Sequence, residues 1–216
     1  MEDSKTREKV LKKIRNALIN KTRNPYPNVD LDTNVFVVGE EGPEINFASK
    51  FNDVGGQFVY CEDELEFIEK ILHLATEMGW RNFVCREQEI KSFLDQVEFP
   101  YRDEDPSIAE AEVTITLCEA LISRSGSIMV SSAQQAGRKA FIYSPVHIVL
   151  AYSSQIVPNI KDGYKLIRNK YGKLPSLVSL ITGPGLSSDI ERNLVYGMHG
   201  PCEVYLFLID DQQQNG

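Results

Sequence analysis

The stretch "EVTITLCEALISRSGSIMVSSAQQAGRKAFIYSPVHIVLAY", Glu112–Tyr152, decides the fold. Its ends, "EVTITL" and "PVHIVLAY", are rich in β-branched residues and predict two strands. Between them lie three short apolar segments, "EALIS", "SIMVSS" and "AFIYS", separated by the turn-like "RSGS" and "AQQAGRK". Strands that follow one another so closely are joined by hairpins, so the stretch predicts antiparallel pairing.

The chain before this stretch alternates helical and extended patterns. "NFASKFNDVGG", "EDELEFIEKILHLATEMG" and "EQEIKSFLDQV" predict helices, and "QFVYC" and "NFVC" predict short strands between them. On the second helix we expect an apolar face of Leu65, Ile68, Leu72 and Ala75, with a stop at Gly79. Hairpins set into such an alternation indicate an α/β fold, a layered mixed sheet with helices on both faces.

The chain after this stretch continues the alternation. "NIKDGYKLIRNKYG" predicts a helix that ends at Gly172, and "SLVSLIT" predicts a buried strand. In "SSDIERNLVYG", Ser188 and Glu191 have the spacing of a capping box, so a helix is expected from Ser188 to Tyr196. "EVYLFLID" predicts the final strand.

Composition limits the classes of function. The 216 residues are 42% hydrophobic and 25% charged, which is typical of a globular domain. No apolar signal segment is visible, and no apolar run approaches the roughly 20 residues of a membrane helix, so we expect a cytoplasmic location and no membrane span. Cys61, Cys85, Cys118 and Cys202 are scattered without a C-x-x-C pair. This predicts reduced, mostly buried thiols, no metal and no cofactor.

The net charge is unevenly distributed. Residues 1–24 hold eight Lys or Arg and three acidic side chains, a net charge of +5, which leaves −13 for the rest of the total of −8. Their apolar residues recur at helical spacing and predict a basic amphipathic helix, followed by a linker at Asn24–Asn28 and a single domain over 25–216. The acidic body argues against a nucleic-acid partner. The helix either caps the domain or docks on a neighbouring subunit of a homo-oligomer.

The segment "SLITGPGLSSDIERNLVYGMHGP", residues 179–201, contains a candidate ligand site. Gly183 and Gly185 can adopt positive φ and leave backbone N–H groups uncovered, and Ser187 or Ser188 can cap the expected helix. The turn either cradles an anion or is only a structural cap, and the acidic residues of the first helical turn favour the cap.

The histidines and acidic residues offer few catalytic candidates. His199, in the turn after the expected helix, either lines a cleft or serves the turn, whereas His147 on an apolar strand is expected to be a hydrogen-bonded structural residue. An acid–base pair would have to come from Glu119, Asp189, Glu191 and His199.

Several motifs together resemble one family. "ITGPGLSSDIERNLVYGMHGP" resembles the signature of the LUD family, the LutC/YkgG-like lactate-utilisation proteins, in which a strand, a Gly-Pro turn, "ADIE" and "G-x-HGP" occur in this order. "EVTITLCEALISRSGSIMV" is similar to the family segment in which a strand leads to an "A-E/D-T-G-T" turn. "PVHIVL" and "KIRNAL" are similar to its Pro–His strand and its N-terminal helix. The resemblance covers nearly the whole chain and is strongest from Glu112 to Asp210.

The resemblance implies a fold similar to the NagB/RpiA/CoA transferase-like proteins. It also implies a ligand site that includes the turn of Arg124, Ser125 and Gly126. Two positions depart from the family pattern, because Arg124 replaces the acidic residue of the "E-T-G-T" turn and Leu186 replaces an arginine. The family site is therefore lost, altered in its ligand, or compensated by the positive charge of Arg124.

Two functions from different classes follow. The resemblance favours an accessory subunit of lactate oxidation to pyruvate, which works with iron–sulfur partner proteins and has no redox cofactor and no independent catalytic activity. The alternative is a stand-alone CoA-transferase-like or isomerase-like enzyme that acts on an anionic small molecule.

Overall fold

The computed structural model describes residues 2–19, 28, 42–188, 194–197 and 199–211, with the backbone alone for 2–5, 105–107, 188 and 194–196. The chain forms two compact units, residues 1–37 and 38–216. The predicted boundary after residue 24, and all of the predicted linker except Asn28, lie outside the described residues.

The described part of the first unit includes the helix α1, Glu2–Ile19, which confirms the predicted N-terminal helix. Its apolar side chains are exposed, with Val10 at 51% and Leu18 at 65% of their full accessibility. In the part of the chain that is described, no helix combines the length and the apolar character needed to cross a membrane.

The second unit is an α/β body. Its helices are α2 (Pro43–Asp53), α3 (Glu64–Met78), α4 (Gln88–Leu94) and α5 (Ile160–Tyr171). Short 3-10 turns occupy Asp95–Val97, Asp105–Glu110 and Ser153–Gln155. Its strands are β1 (Gln57–Cys61), β2 (Phe83–Cys85), β3 (Val113–Leu117), β4 (Ala120–Ile122), β5 (Ser127–Ser131), β6 (Val146–Tyr152), β7 (Ile156–Val157), β8 (Val178–Ile181), β9 (Leu186–Ser188), β10 (Leu194–Tyr196) and β11 (Glu203–Ile209).

Five strands form a wholly parallel sheet in the order β1-β11-β6-β3-β2. β6 and β11 are its central, longest strands, and nearly all their residues are buried. Such continuous apolar runs are typical of parallel strands that are covered on both faces.

The remaining body strands include a four-stranded mixed sheet in the order β7-β4-β5-β8. The predicted hairpin of "EALIS" and "SIMVSS" is its β4–β5 pair. The third segment, "AFIYS", is not a strand, so that prediction is wrong. Ala140, Phe141 and Ser144 are buried, whereas Ile142 and Tyr143 are 46% and 62% exposed. These buried side chains hold the loop on the body without strand pairing.

Three apolar clusters join the layers. α3 and α4 cover one face of the parallel sheet, through Phe67, Ile71 and Ile90 among others. The mixed sheet and α2 cover the opposite face, and α5 packs on the outer side of the mixed sheet. The predicted layered α/β architecture is confirmed.

The buried face of α3 differs from the predicted face. The structure buries Phe67, Ile68, Ile71 and Ala75, whereas Leu65 is 65% exposed. The predicted and the observed apolar faces both have helical spacing. Burying the face with Phe67 and Ile71 removes more apolar surface from water. The predicted stop is confirmed, because Gly79 ends the helix at φ 70°.

Two predictions for residues 176–196 are wrong. β8 is not a buried strand but a partly exposed edge strand, with Leu180 at 38% exposure, because only one of its sides is paired. The helix expected from Ser188 to Tyr196 is absent at its described ends, where β9 and β10 pair antiparallel. The cross-strand pairs Tyr196↔Leu186 and Val195↔Ser187 satisfy the backbone of a β-favouring Leu-Val-Tyr segment, which outweighs a local capping pattern. Residues 189–193 lie outside the described residues.

Candidate functional site

Five of the predicted site residues fall on two neighbouring turns, residues 124–127 and 182–185, which we call the glycine turns. Antiparallel pairing of Ile128 with Ile181 brings them to the same end of the mixed sheet. The Ser127 hydroxyl lies 2.8 Å from both the Ser125 hydroxyl and the Thr182 hydroxyl. The turns singled out in the sequence are therefore adjacent, and Thr182 is a member that the sequence analysis missed.

The glycines of these turns allow close packing against α2. Gly183 has φ 78°, and a Cβ there would lie 2.2 Å from the Val54 carbonyl oxygen. A Cβ on Gly126, with φ 58°, would lie 2.4 Å from the backbone of Lys50 and Phe51. Both positions therefore require glycine for conformation and for space. This structural demand explains both glycines without a ligand.

Gly185 and His199 are neighbours, because the chain returns as a hairpin between them. The Gly185 N–H donates to the Pro201 carbonyl at 2.8 Å, and its carbonyl accepts from the Gly197 N–H at 2.9 Å. A Cβ on Gly185 would lie 3.0 Å from the His199 carbonyl oxygen. The N–H that the sequence analysis expected to be uncovered is thus engaged, and the His199 side chain is exposed.

The remaining predicted residues lie in or next to the glycine turns, or outside the described residues. Arg124 is exposed, and Ser187 is partly exposed on β9. The side chain of Ser188 and the acid–base candidates Asp189 and Glu191 lie outside the described residues. A ligand role for the glycine turns stays a prediction.

A cavity of about 410 Å³ lies at a different place, against the carboxyl ends of β2, β3 and β6. We call it the strand-end cavity. Glu87, Leu117 and Tyr152 contribute to its wall from the loop after β2, from β3 and from β6. Lys170 and Tyr171 reach it from the end of α5.

Two glutamine side chains hold the strand ends around the cavity. Gln134 donates to the Leu117 carbonyl at 2.7 Å and accepts from the Ser131 N–H at 2.8 Å. Gln155 donates to the Cys118 carbonyl at 2.9 Å and accepts from the Tyr152 N–H at 2.8 Å. Because each amide bridges two backbone groups, this wall is held in one arrangement before any ligand arrives.

Glu119 lies directly behind the cavity wall, with its side chain only 1% exposed. One carboxylate oxygen accepts from the Ser131 hydroxyl at 2.5 Å and the Tyr171 hydroxyl at 3.0 Å. The other oxygen accepts from the Lys170 ammonium at 3.0 Å. Glu119 therefore positions Lys170 and Tyr171 in the wall. It was one of four acid–base candidates in the sequence, whereas its partners were missed because they are about 50 residues away.

Glu87 is the second buried carboxylate, and it faces the cavity. It is 3% exposed and accepts from the Ala136 N–H at 3.2 Å. Burial raises its pKa, against the opposing effect of backbone donors at Ala136 and Gln135. Beside it, Tyr152 donates to Glu89 at 2.6 Å. The wall is therefore polar and carries acidic side chains.

Cys61, Cys85, Cys118 and His147 are buried in the core, whereas Cys202 is exposed. Burial raises the pKa of Cys61 and Cys85 to about 12 and also raises that of Cys118, so these thiols stay protonated near neutral pH. His147 is fully buried, with Nε2 2.8 Å from the Thr116 hydroxyl, and burial lowers its pKa to about 3. The hydrogen bond predicted for His147 is present at Nε2, whereas Nδ1 is buried without a partner among the described residues. Within the described ranges, no group of three or more His, Cys, Asp or Glu side chains could hold a metal ion.

Comparison with a known structure supports this fold. A crystal structure of a DUF162 family protein from Deinococcus radiodurans superposes with a TM-score of 0.56 at 17% identity, covering 77% of this chain and 96% of that chain. At this identity the likeness concerns the fold.

Comparison of sequences identifies partial relatives. Lactate utilization protein C 1 of Bacillus mycoides is 35% identical over 115 residues, which cover 51% of this chain and 49% of that protein. Lactate utilization protein C of Bacillus subtilis is 33% identical over 106 residues, which cover 48% of this chain and 44% of that protein. The chain spans about half the length of the curated relatives it matches.

A family model extends the match across the body. The LUD domain model matches residues 46–209, from within α2 to the last residue of β11, which is more than half of the chain. This chain therefore belongs to the LUD domain family.

Proposed function

We propose that this chain acts in lactate utilisation, as an accessory subunit of lactate oxidation to pyruvate in the cytoplasm. The observation that carries the proposal is the LUD domain match over residues 46–209, which includes every strand of the two large sheets. The partly matching relatives are named lactate utilization protein C, which gives the proposal its substrate.

In this proposal, partner proteins with iron–sulfur clusters carry out the oxidation. In this proposal the chain holds no iron–sulfur cluster of its own, because its cysteines are scattered and three of them are buried, protonated thiols that offer no set of thiolate ligands. The exposed apolar and basic side chains of α1 supply a surface for association with a partner or a second copy.

The test is a deletion of the gene in its native host, followed by growth on lactate and on glucose. We expect a growth defect on lactate alone, restored by the wild-type gene. A tagged copy expressed from the same locus should co-purify with proteins that show iron–sulfur absorbance in lactate-grown cells. Normal growth of the deletion strain on lactate, together with a tagged chain that purifies without such partners, would contradict the proposal.

A second candidate is an enzyme that acts on an anionic metabolite at the glycine turns. It is favoured by one observation, the hydroxyl contact between Ser127 and Thr182 that brings both turns together beside the exposed Arg124. Serine and threonine hydroxyls with an arginine can bind a phosphate or carboxylate.

Calorimetric titration with phosphate and with coenzyme A tests this candidate. We expect binding that Arg124→Gln weakens and that Arg102→Gln, a charge removal at another exposed position, leaves unchanged. Absence of binding by both anions would leave the glycine turns with their packing role against α2.

A further inference from the structure

The strand-end cavity occupies the place where connections from neighbouring parallel strands diverge. The chain leaves β2 for α4, which packs on one face of the sheet. It leaves the adjacent β3 for β4 of the mixed sheet, which packs on the opposite face. Diverging connections open a crevice at the carboxyl ends of the strands, and open α/β sheets bind their ligands in such crevices. At about 410 Å³, the cavity has the size of a small-molecule site.

The charges around the cavity are not balanced. Lys170 is committed to Glu119, which lies behind the wall at 3.0 Å. Glu87 is 3% exposed and accepts from the Ala136 N–H, and no ion pair is present on it among the described side chains. The charge of Lys170 acts on Glu87 only from further away, and burial outweighs this effect and raises the pKa of Glu87. A buried carboxylate without a cation is costly, and a bound cation would relieve that cost.

We propose that the strand-end cavity binds a small metabolite through a protonated amine that pairs with Glu87. Glu89 adds a second negative charge at the rim. Tyr152 and Tyr171 line the same space, and aromatic rings attract ammonium groups. This site goes beyond lactate utilisation, because a lactate-type carboxylate would meet repulsion from Glu87 and Glu89.

Lys170 is a positioning residue in this site. Its hydrogen bond to Glu119 and its place over the Tyr171 ring, 5.1 Å from the ring centre, hold it at one end of the wall. It repels the amine from that end toward Glu87. The cavity therefore has a direction, with the amine at Glu87 and the rest of the ligand extending toward α5.

The experiment measures binding to the full chain by calorimetry and by thermal shift, with putrescine, spermidine and choline as probes. 1,4-Butanediol is the uncharged probe of the same length as putrescine, and phosphate and magnesium chloride test an anion and a metal ion. We expect at least one amine to bind and to raise the melting temperature. Equal effects of putrescine and 1,4-butanediol, binding of phosphate or magnesium with no amine bound, or no response to any amine would each overturn the proposal.

Two variants locate the binding. Glu87→Gln removes the charge and keeps an oxygen that accepts from the Ala136 N–H, so we expect a folded protein with amine affinity reduced about tenfold or more. Ala133→Trp narrows the exposed rim of the cavity without changing any charge and should also weaken binding. Glu110→Gln, an exposed charge removal, is the matched control and should bind as the wild type does. Unchanged affinity in Glu87→Gln would overturn the assignment.

The pH dependence of amine affinity gives an independent readout of the role of Glu87. Because burial raises the pKa of Glu87, its carboxylate takes up a proton at a higher pH than an exposed glutamate. Amine affinity should therefore rise with pH from about 5 to 8, where amines stay protonated, and Glu87→Gln should remove this dependence. A pH dependence that persists in Glu87→Gln would overturn the role of this carboxylate. Each outcome is independent of the proposed lactate function, since none requires a partner protein.

Discussion

The glycine turns and the strand-end cavity differ in how their residues are brought together, because the turns are local in sequence and the cavity wall is not. The turns consist of short, recognisable sequence motifs, yet their glycines are needed for space. A Cβ on Gly183 would lie 2.2 Å from the carbonyl oxygen of Val54, directly after α2, and a Cβ on Gly126 would lie 2.4 Å from the α2 backbone. The cavity has no local motif, and its wall is assembled from residues as distant as Glu87 and Lys170. A recognisable sequence motif can therefore reflect a packing requirement. Polar residues that are scattered along the sequence can form the better ligand site.

Electrostatics separate the two regions further. The glycine turns contain hydroxyl groups whose hydrogen bonds are shared among Ser125, Ser127 and Thr182. At the cavity, the buried Glu119 behind the wall forms an ion pair with Lys170, whereas the buried Glu87 in the wall accepts from backbone N–H groups. Perturbing the turns should thus change stability, and perturbing the cavity should change charge-dependent properties. Three measurements test this division and a fourth, on His147, supplies a reference from the core; they follow from the largest expected effect to the smallest.

Gly183→Ala should lower the free energy of unfolding by about 3 kcal/mol, from the strain at positive φ and the displacement of the Val54 carbonyl. Gly79→Ala is the matched control, since Gly79 has φ 70° but nothing within 4 Å of its Cβ position. It should cost about 1 kcal/mol. Urea denaturation measures both. Equal losses in the two variants would mean that contact with α2 is unimportant, and the comparison between the regions would fail.

His147 gives a pH-dependent reference from the core, outside both regions. Its pKa is lowered to about 3 in the folded protein, against 6.5 for the exposed group, so the unfolded chain binds a proton first as pH falls. Stability is present above pH 6.5 and should decrease by about 2 kcal/mol between pH 7 and pH 5.

The variant His147→Gln tests this assignment by urea denaturation at both pH values. The substitution should reduce the pH dependence by about 2 kcal/mol while it lowers stability at pH 7, because the fit to Thr116 is altered. The same pH dependence in wild type and variant would assign the effect to other groups.

Lys170→Met should lower the free energy of unfolding by about 1–2 kcal/mol, because it leaves the buried Glu119 without its cation. Lys165→Met removes a lysine from the exposed pair with Asp162 and should cost less than about 0.5 kcal/mol. In a double-mutant cycle with Glu119→Gln, the two cavity substitutions should be non-additive. Additive losses would show that Glu119 does not position Lys170.

Removal of residues 1–24 should have the smallest effect on both regions, since each lies within residues 38–216. We expect the stability of the body to change by less than about 0.5 kcal/mol. Self-association or partner binding should weaken, as light scattering and co-purification would detect. Unfolding of the truncated chain would instead make α1 part of the core and refute its role in assembly.

The sequence predicted most of the body because its signals are local and repeated. β6 and β11 are long, mostly apolar runs, α3 ends at Gly79 as expected, and the β4–β5 hairpin follows from short segments joined by a turn. The errors occur where two local patterns compete. Residues 186–196 carry both a capping pattern and strand-favouring residues. The antiparallel pairing of Leu186 with Tyr196 stabilises strands β9 and β10 instead of the predicted helix. That choice depends on a partner strand, which no local pattern contains.

The sequence by itself determined the α/β class, the charge division between the N-terminal helix and the acidic body, and the motifs that indicate the LUD family. These properties depend on composition and on neighbours within a few residues. Only the tertiary structure decided which carboxylate is compensated. Glu119 meets Lys170 across about 50 residues, whereas Glu87 faces a cavity formed by diverging connections of the sheet. The physical reason is that burial and ion pairing depend on distances in space, which are set when the two sheets pack together.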